Sequence, residues 1–248
     1  MKIKKGVISA LVVIVLIVAA LAFAATREKN SGRNVLAQRI FDMGSDNQGS
    51  SIEEIKSSIA AYEKRIEQHV KDAAQTGAYW KILAVRLQDR GLHREALDAL
   101  EQAINYMPVD PALHYFTGIS AGIMAKSVHV FPGSDPGEKN RYFLLAENAF
   151  LRAIELDSRY LRPRYGLAVL YVFELERPEE AIPHLERCLE ISRNDVDSMA
   201  VLARAYYMLD NLQAAVELYD RIISITKDEQ KKLDAQNLRQ FILGQMYG

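Results

Sequence analysis

The feature that most constrains this chain is a period. Ala84 and Gly118 lie thirty-four residues apart, as do Trp80 and His114. Each small residue is also followed at a short offset by an alanine: Ala84 by Ala96 and Ala203 by Ala215, twelve residues on in both cases. A repeat of this length marks a chain built from copies of one small supersecondary unit, each of which must stack on the next to bury its apolar side. Two further pairs extend the series with longer gaps. Gly118 to Ala146 spans twenty-eight residues, an excess of sixteen, and Gly166 to Ala181 spans fifteen, an excess of three. Both excesses are expected between the two helices of a unit, where extra residues leave packing undisturbed.

The residues between these markers follow helical spacing, and no convincing strand pattern is present, so the expected fold class is all-α. Ala84, Gly118, Gly166 and Ala203 lack bulk and let the first helix of each unit approach the second. Ala96, Ala146, Ala181 and Ala215 do the same on the partner helix. Trp80, Leu83, Leu87, Leu100, Phe150, Leu185 and Tyr219 are then expected to fill the space between.

Trp80, Leu83, Ala84 and Leu87 stand at the spacing W-x2-L-G-x2-Y, and Ala96, Leu100, Ala103 and Pro108 continue as A-x3-F-x2-A ending in Pro. Ala146, Phe150 and Ala153 follow in a second unit, Gly166, Ala181, Leu185 and Cys188 in a third, and Leu202, Ala203, Tyr206, Ala215, Tyr219 and Ile222 in a fourth. This pattern resembles the tetratricopeptide repeat (TPR) family. The resemblance implies a right-handed superhelix of about four stacked hairpins over 77–227, with units at about 77–110, 111–158, 159–195 and 196–227. Departures from the pattern are His114 and Arg162 at the Trp position, Thr117 at a Leu position, and Ser158, Arg193 and Lys227 where a terminal proline would stand. A helix over 51–76 and another over 228–248, the latter with Leu233, Leu238, Phe241 and Ile242 on its inner side, are expected to cap the two ends.

In this family the concave face is built mainly by the first helix of each hairpin. The resemblance therefore implies a peptide-binding surface of Lys81, Val85 and Gln88, then Tyr115, Ile119 and Gly122, then Leu167, Leu170 and Tyr171, and finally Arg204, Tyr207 and Met208. Members that clamp a C-terminal carboxylate carry Asn where this chain has Val85 and Ile119, so that activity is not implied. A loop at about 126–135, tipped by Val130 to Gly133, is expected either to form a second binding element or to fold back on its own repeat.

The N-terminus carries a different signal. From Val7 to Ala25 only Ser9 is polar, and Lys2, Lys4 and Lys5 precede the run while Arg27 follows it. Nineteen residues at about 1.5 Å each approach the thickness of a bilayer core, so 1–26 is expected to be a transmembrane signal-anchor. Cleavage after Ala24, at the small-x-small sequence Ala22-Phe23-Ala24, is the competing reading. The short basic tail is expected to stay in the cytoplasm, which places the body outside, in a periplasm or its equivalent. Residues 27–50, rich in Ser, Asn, Gly and charge, read as a tether. Ser51 and Glu54 then form a capping-box spacing, followed by an apolar helical stripe of Ile52, Ile55, Ile59, Tyr62, Ile66 and Val70.

Charge and chemistry narrow the function. Without Lys2, Lys4 and Lys5 the chain carries 28 basic and 32 acidic residues, which offers nothing to a phosphate backbone. One cysteine, Cys188, rules out an internal disulfide, and the five histidines lack zinc spacing. No nucleophile elbow, phosphate loop or dinucleotide fingerprint is present, so no catalysis, cofactor or metal is expected. The expected function is a membrane-anchored scaffold that holds a peptide segment or partner protein through its concave face in the cell envelope, as an accessory to export or assembly. The alternatives are an obligate structural subunit of an envelope complex and, after signal cleavage, a soluble periplasmic chaperone.

Overall fold

The computed structural model describes residues 52–128, 135 and 137–247. These residues form nine α-helices and no strand: α1 (Ile52–Asp89), α2 (His93–Tyr106), α3 (Pro111–Ser127), α4 (Glu138–Leu156), α5 (Leu161–Phe173), α6 (Pro178–Ile191), α7 (Val196–Met208), α8 (Leu212–Ile225) and α9 (Glu229–Tyr247). The expected anchor at 7–25, the tether and the loop tip Val130 to Gly133 lie outside the described residues. Among the described residues no helix is long and apolar enough to cross a membrane. The chain divides into two compact bodies, 1–68 and 69–248.

In the second body the hairpins α1–α2, α3–α4, α5–α6 and α7–α8 are closed by the small residues that the period marks. Ala84, Ala96, Ala146, Ala181, Ala203 and Ala215 are all fully buried. The first helices of successive hairpins also neighbour each other, α3 with α5 and α5 with α7. Helix starts follow local chemistry. Asp110 caps α3 by accepting from the Ala112 amide, with Pro111 in the first turn. Asp195 caps α7 through the Asp197 amide and the Ser198 hydroxyl. Asn211 caps α8 through the Ala214 amide. The turn from first to second helix needs a left-handed residue each time it is short: Gly91 at φ 74°, Glu176 at φ 53° and Asp210 at φ 58°.

Repeat three departs from the sequence reading. The eighth residue of α3 is Gly118 and of α7 is Ala203, and in α5 that place belongs to Ala168, not Gly166. Ala168 is fully buried and precedes Ala181 by thirteen residues, so the excess shrinks from three to one, matching a connection of four residues against three in repeat four. Gly166 is small for another reason: a Cβ there would stand 2.9 Å from Phe150 of the preceding hairpin. It serves contact between repeats, and its lack of bulk imitates the mark of contact within one.

The excess of sixteen in repeat two is mostly helix. α3 is four residues longer than α7 and α4 five longer than α8, which leaves seven for the connection between Ser127 and Glu138. The expected loop of 126–135 thus starts later than its first residues, because Lys126 and Ser127 still belong to α3.

Both ends also differ from expectation. The helix over 51–76 is not the separate cap that its stripe suggests: residues 74–80 contain no proline, and their one glycine, Gly77, seats the helix against Tyr106 and Met107. With nothing to break it, the segment runs on as the start of α1. Tyr79, Ile82 and Leu83 are exposed, and Leu83 is not a core residue. At the other end α9 does pack on α8, but through Ala235 and Ile242, with Leu243 and Met246 beside them. Leu233, Leu238 and Phe241 stay exposed, and Arg239 pairs with Asp220 of α8.

Candidate partner-binding cleft

The side chains expected to form one surface sort into four settings. In repeat one Lys81 reaches Asp110 at 2.6 Å, and Gln88 donates from its amide to the Phe116 carbonyl at 2.8 Å and the Ser120 hydroxyl at 2.7 Å. Both tie α1 to the start and middle of the α3 hairpin, and Val85 lies half-buried between them. In repeat four the Arg204 guanidinium lies 5.3 Å from the Tyr207 ring centre, and Tyr207 lies 6.1 Å from Phe241 of α9. In repeat two Tyr115 and Ile119 line an open cleft between α3 and α5.

Leu167 and Tyr171 are corrections. They are 0% and 4% exposed, inside the core of repeats two to four. The register shift explains this, since two residues turn a helix by about 200° and exchange its faces. Tyr171 instead donates its hydroxyl to Glu147 of α4 at 3.0 Å. The Arg177 guanidinium lies 4.7 Å from the Tyr171 ring centre and 3.1 Å from the same carboxylate, and pairs with Glu180. Burial, then the bond to Glu147, pushes the Tyr171 phenol well above its ordinary value, so it stays a neutral donor that fastens α4, α5 and α6 together. With Ala168 as reference, the repeat-three equivalents of Tyr115 and Ile119 are Tyr165 and Val169. Both line the cleft. A sequence reading could have found them from the thirteen-residue spacing of Ala168 and Ala181.

The cleft has a volume of about 270 Å³. Its floor is made by backbone and one ring. Gly118 and Gly166 press on Phe150 from α3 and α5, and a Cβ at either would come within 2.5 Å and 2.9 Å of that ring. Gly122, one turn beyond Gly118, has nothing within 4 Å of its missing Cβ, which leaves a notch in the α3 wall. Ile119, Ile123, Val169 and Leu170 supply apolar sides. At one mouth Lys126 and Glu174 form an ion pair of 3.0 Å. At the other stand Arg162, Tyr165 and Tyr115, whose ring lies 5.5 Å from that of Tyr160.

A second pocket of about 220 Å³ shares Tyr115, Arg162 and Tyr165 and ends at Asp195 and Asp197. Burial, followed by the charges of Asp197 and Asp195, holds the Tyr165 phenol above its ordinary value. Burial does the same to the Cys188 thiol, which donates weakly to the Leu161 carbonyl at 3.9 Å, the opposite of an activated nucleophile. Asp195 is engaged in capping α7, and Lys231 pairs with Asp197 at 2.6 Å. Among the described residues no group of three or more His, Cys, Asp or Glu could hold a metal. The arrangement can accept a bulky apolar side chain in the notch and hydrogen-bond the backbone beside it through phenol hydroxyls and one guanidinium.

Comparison with known proteins agrees with this architecture. A tetratricopeptide repeat family model matches residues 172–236. A "TPR repeat-containing protein" of Borreliella burgdorferi is 21% identical over 183 residues, covering 74% of this chain and 77% of its own length. Among solved structures, MamA from Desulfovibrio magneticus RS-1 superposes with a TM-score of 0.53 at 15% identity, over 68% of this chain and 94% of that one. A thermophilic TPR protein of Thermus thermophilus gives 0.53 at 15% identity over 86% of this chain and 98% of that one. The fold is the all-helical, TPR-like repeat fold that it shares with these solved structures.

Proposed function

We propose that this chain is a TPR scaffold that captures a peptide segment or partner protein through the cleft between α3 and α5. The observation that carries the reading is the notch at Gly122: an open apolar depression on the first-helix face, flanked by phenols and charges, with no catalytic constellation beside it. The apolar run Val7 to Ala25, with Lys2, Lys4 and Lys5 before it, supports anchoring in a membrane with the body on the extracytoplasmic side. The partner is held near the bilayer without chemical change, as an accessory to envelope export or assembly.

The test uses the full chain in its native membranes. A photo-cross-linking residue in place of Ile119 or Val169 captures the partner, and adding Gly122→Leu, which fills the notch, removes at least nine-tenths of the captured product while the helical circular dichroism is unchanged. Capture that survives Gly122→Leu refutes the cleft as the site. Added protease digests residues 52–247 in cells with a permeabilised outer envelope, and protection there refutes the orientation.

A further inference from the structure

We infer that the N-terminal part of α1 is a homotypic docking helix, which pairs antiparallel with the same segment of a second copy of this chain. Ile52, Ile55, Ile59, Tyr62 and Ile66 recur at steps of three, four, three and four, and all are exposed, with Ile52, Ile59 and Ile66 at 66%, 51% and 63%. Solvent-facing apolar residues scattered singly need no explanation, but an unbroken stripe of four isoleucines and a tyrosine on one side of a helix does. The alternating step averages 3.5 residues, the spacing that fits a stripe to another helix in a supercoil, with Ile52, Ile59 and Ile66 at position a and Ile55 and Tyr62 at position d.

The remaining residues choose the occupant. A helix lying on an anionic lipid surface needs a basic polar face. Residues 52–72 carry Lys56, Lys64, Arg65 and Lys71 against Glu53, Glu54, Glu63, Glu67 and Asp72, so the segment is not basic. The flanking e positions are Lys56 and Glu63, and the g positions are Ser58 and Arg65. In a parallel pair g meets e of the other chain, which sets Ser58 against Glu63 and Arg65 against Val70, with no ion pair. In an antiparallel pair e meets e, and Lys56 of each copy meets Glu63 of the other, twice by symmetry. The same register stacks Ile59 on Tyr62 and Ile55 on Ile66, whereas the parallel one forces tyrosine against tyrosine. The stripe is thus complementary to itself in one orientation. Its length of just over two heptads makes the association weak and concentration-dependent, the regime that confinement of both copies to one membrane would favour.

The inference is independent of the cleft, and its test is the mass of the full chain in a density-matched detergent by sedimentation equilibrium over a concentration series. The expected result is a monomer–dimer equilibrium. Ile59→Asp leaves a monomer throughout with unchanged helical signal from the repeats. Lys56→Glu, which places two like-charged pairs across the interface, weakens the dimer at least tenfold, and Lys56→Glu with Glu63→Lys restores it to within threefold. A wild-type chain that stays monomeric up to roughly 100 μM, a range that contains weak specific dimers, overturns the inference. So does a dimer that survives Ile59→Asp, or a charge swap that fails to restore what Lys56→Glu removes. Flotation of the purified chain with anionic vesicles that is lost in Ile59→Asp, without any dimer, would assign the stripe to lipid and equally overturn it.

Discussion

Gly118 and Gly122 are one turn apart in α3, and replacing each by alanine should move stability in opposite directions. A Cβ on Gly118 would lie 2.5, 2.6 and 2.8 Å from three atoms of the Phe150 ring, where ordinary contact is 3.4–4 Å. The ring must retreat by about 1 Å in a close-packed interior. Gly166 of α5 crowds the same edge of the ring, where a Cβ would lie 2.9 Å from Cζ and 3.0 Å from Cε1, so the ring is confined from two helices at once. Overpacking of this kind costs roughly 2–3 kcal/mol, the upper half of its usual range. Alanine recovers about 1 kcal/mol of helix propensity, so Gly118→Ala is destabilising by about 1–2 kcal/mol. Gly122→Ala meets nothing within 4 Å and keeps the propensity gain alone. In a thermal melt followed by circular dichroism, Gly118→Ala should lower the midpoint by roughly 3–6 °C and Gly122→Ala raise it by roughly 2–4 °C. Phe150→Leu should lower stability by itself but remove most of the cost of adding Gly118→Ala to it. If Gly118→Ala raises the midpoint as Gly122→Ala does, the packing of the second and third hairpins around Phe150 is wrong.

Two further outcomes follow from local geometry. Glu176 and Asp210 hold the left-handed turn conformation that Gly91 holds in the first hairpin; Glu176→Gly and Asp210→Gly should each stabilise by about 0.5–1 kcal/mol, and Gly91→Ala should destabilise by about 1–2 kcal/mol, read as shifts in the urea midpoint. His184 carries a buried ring nitrogen without a partner, and burial, then the charge of Arg164, holds its pKa below the ordinary 6.5 while Glu180 opposes this. The unfolded chain therefore binds that proton more readily, so stability present above pH 6.5 should be lost as the pH falls through the lowered folded value. His184→Phe should flatten the unfolding free energy between about pH 7 and 5, while the lowered carboxyl of Glu180 acts only below its ordinary 4.5.

What the sequence determined by itself is the set of hairpins. Ala84, Ala96, Ala146, Ala203 and Ala215 mark contacts within a hairpin, between segments close in the chain, so their spacing is short and repeats. The cleft residues Tyr115 and Ile119 were legible for the same reason: they stand at set offsets from Gly118, which the period locates correctly. The register of α5 was not legible, because a small residue is required both within a hairpin, at Ala168, and between hairpins, at Gly166, and composition does not distinguish the two. That one ambiguity sent Leu167 and Tyr171 to the wrong face and hid Tyr165 and Val169. The fate of 52–74 was equally undetermined, since an amphipathic stripe states that a face is apolar without stating what covers it. The tertiary structure decided the register of α5, because it depends on neighbours distant in sequence: Phe150 for Gly166 and Glu147 for Tyr171.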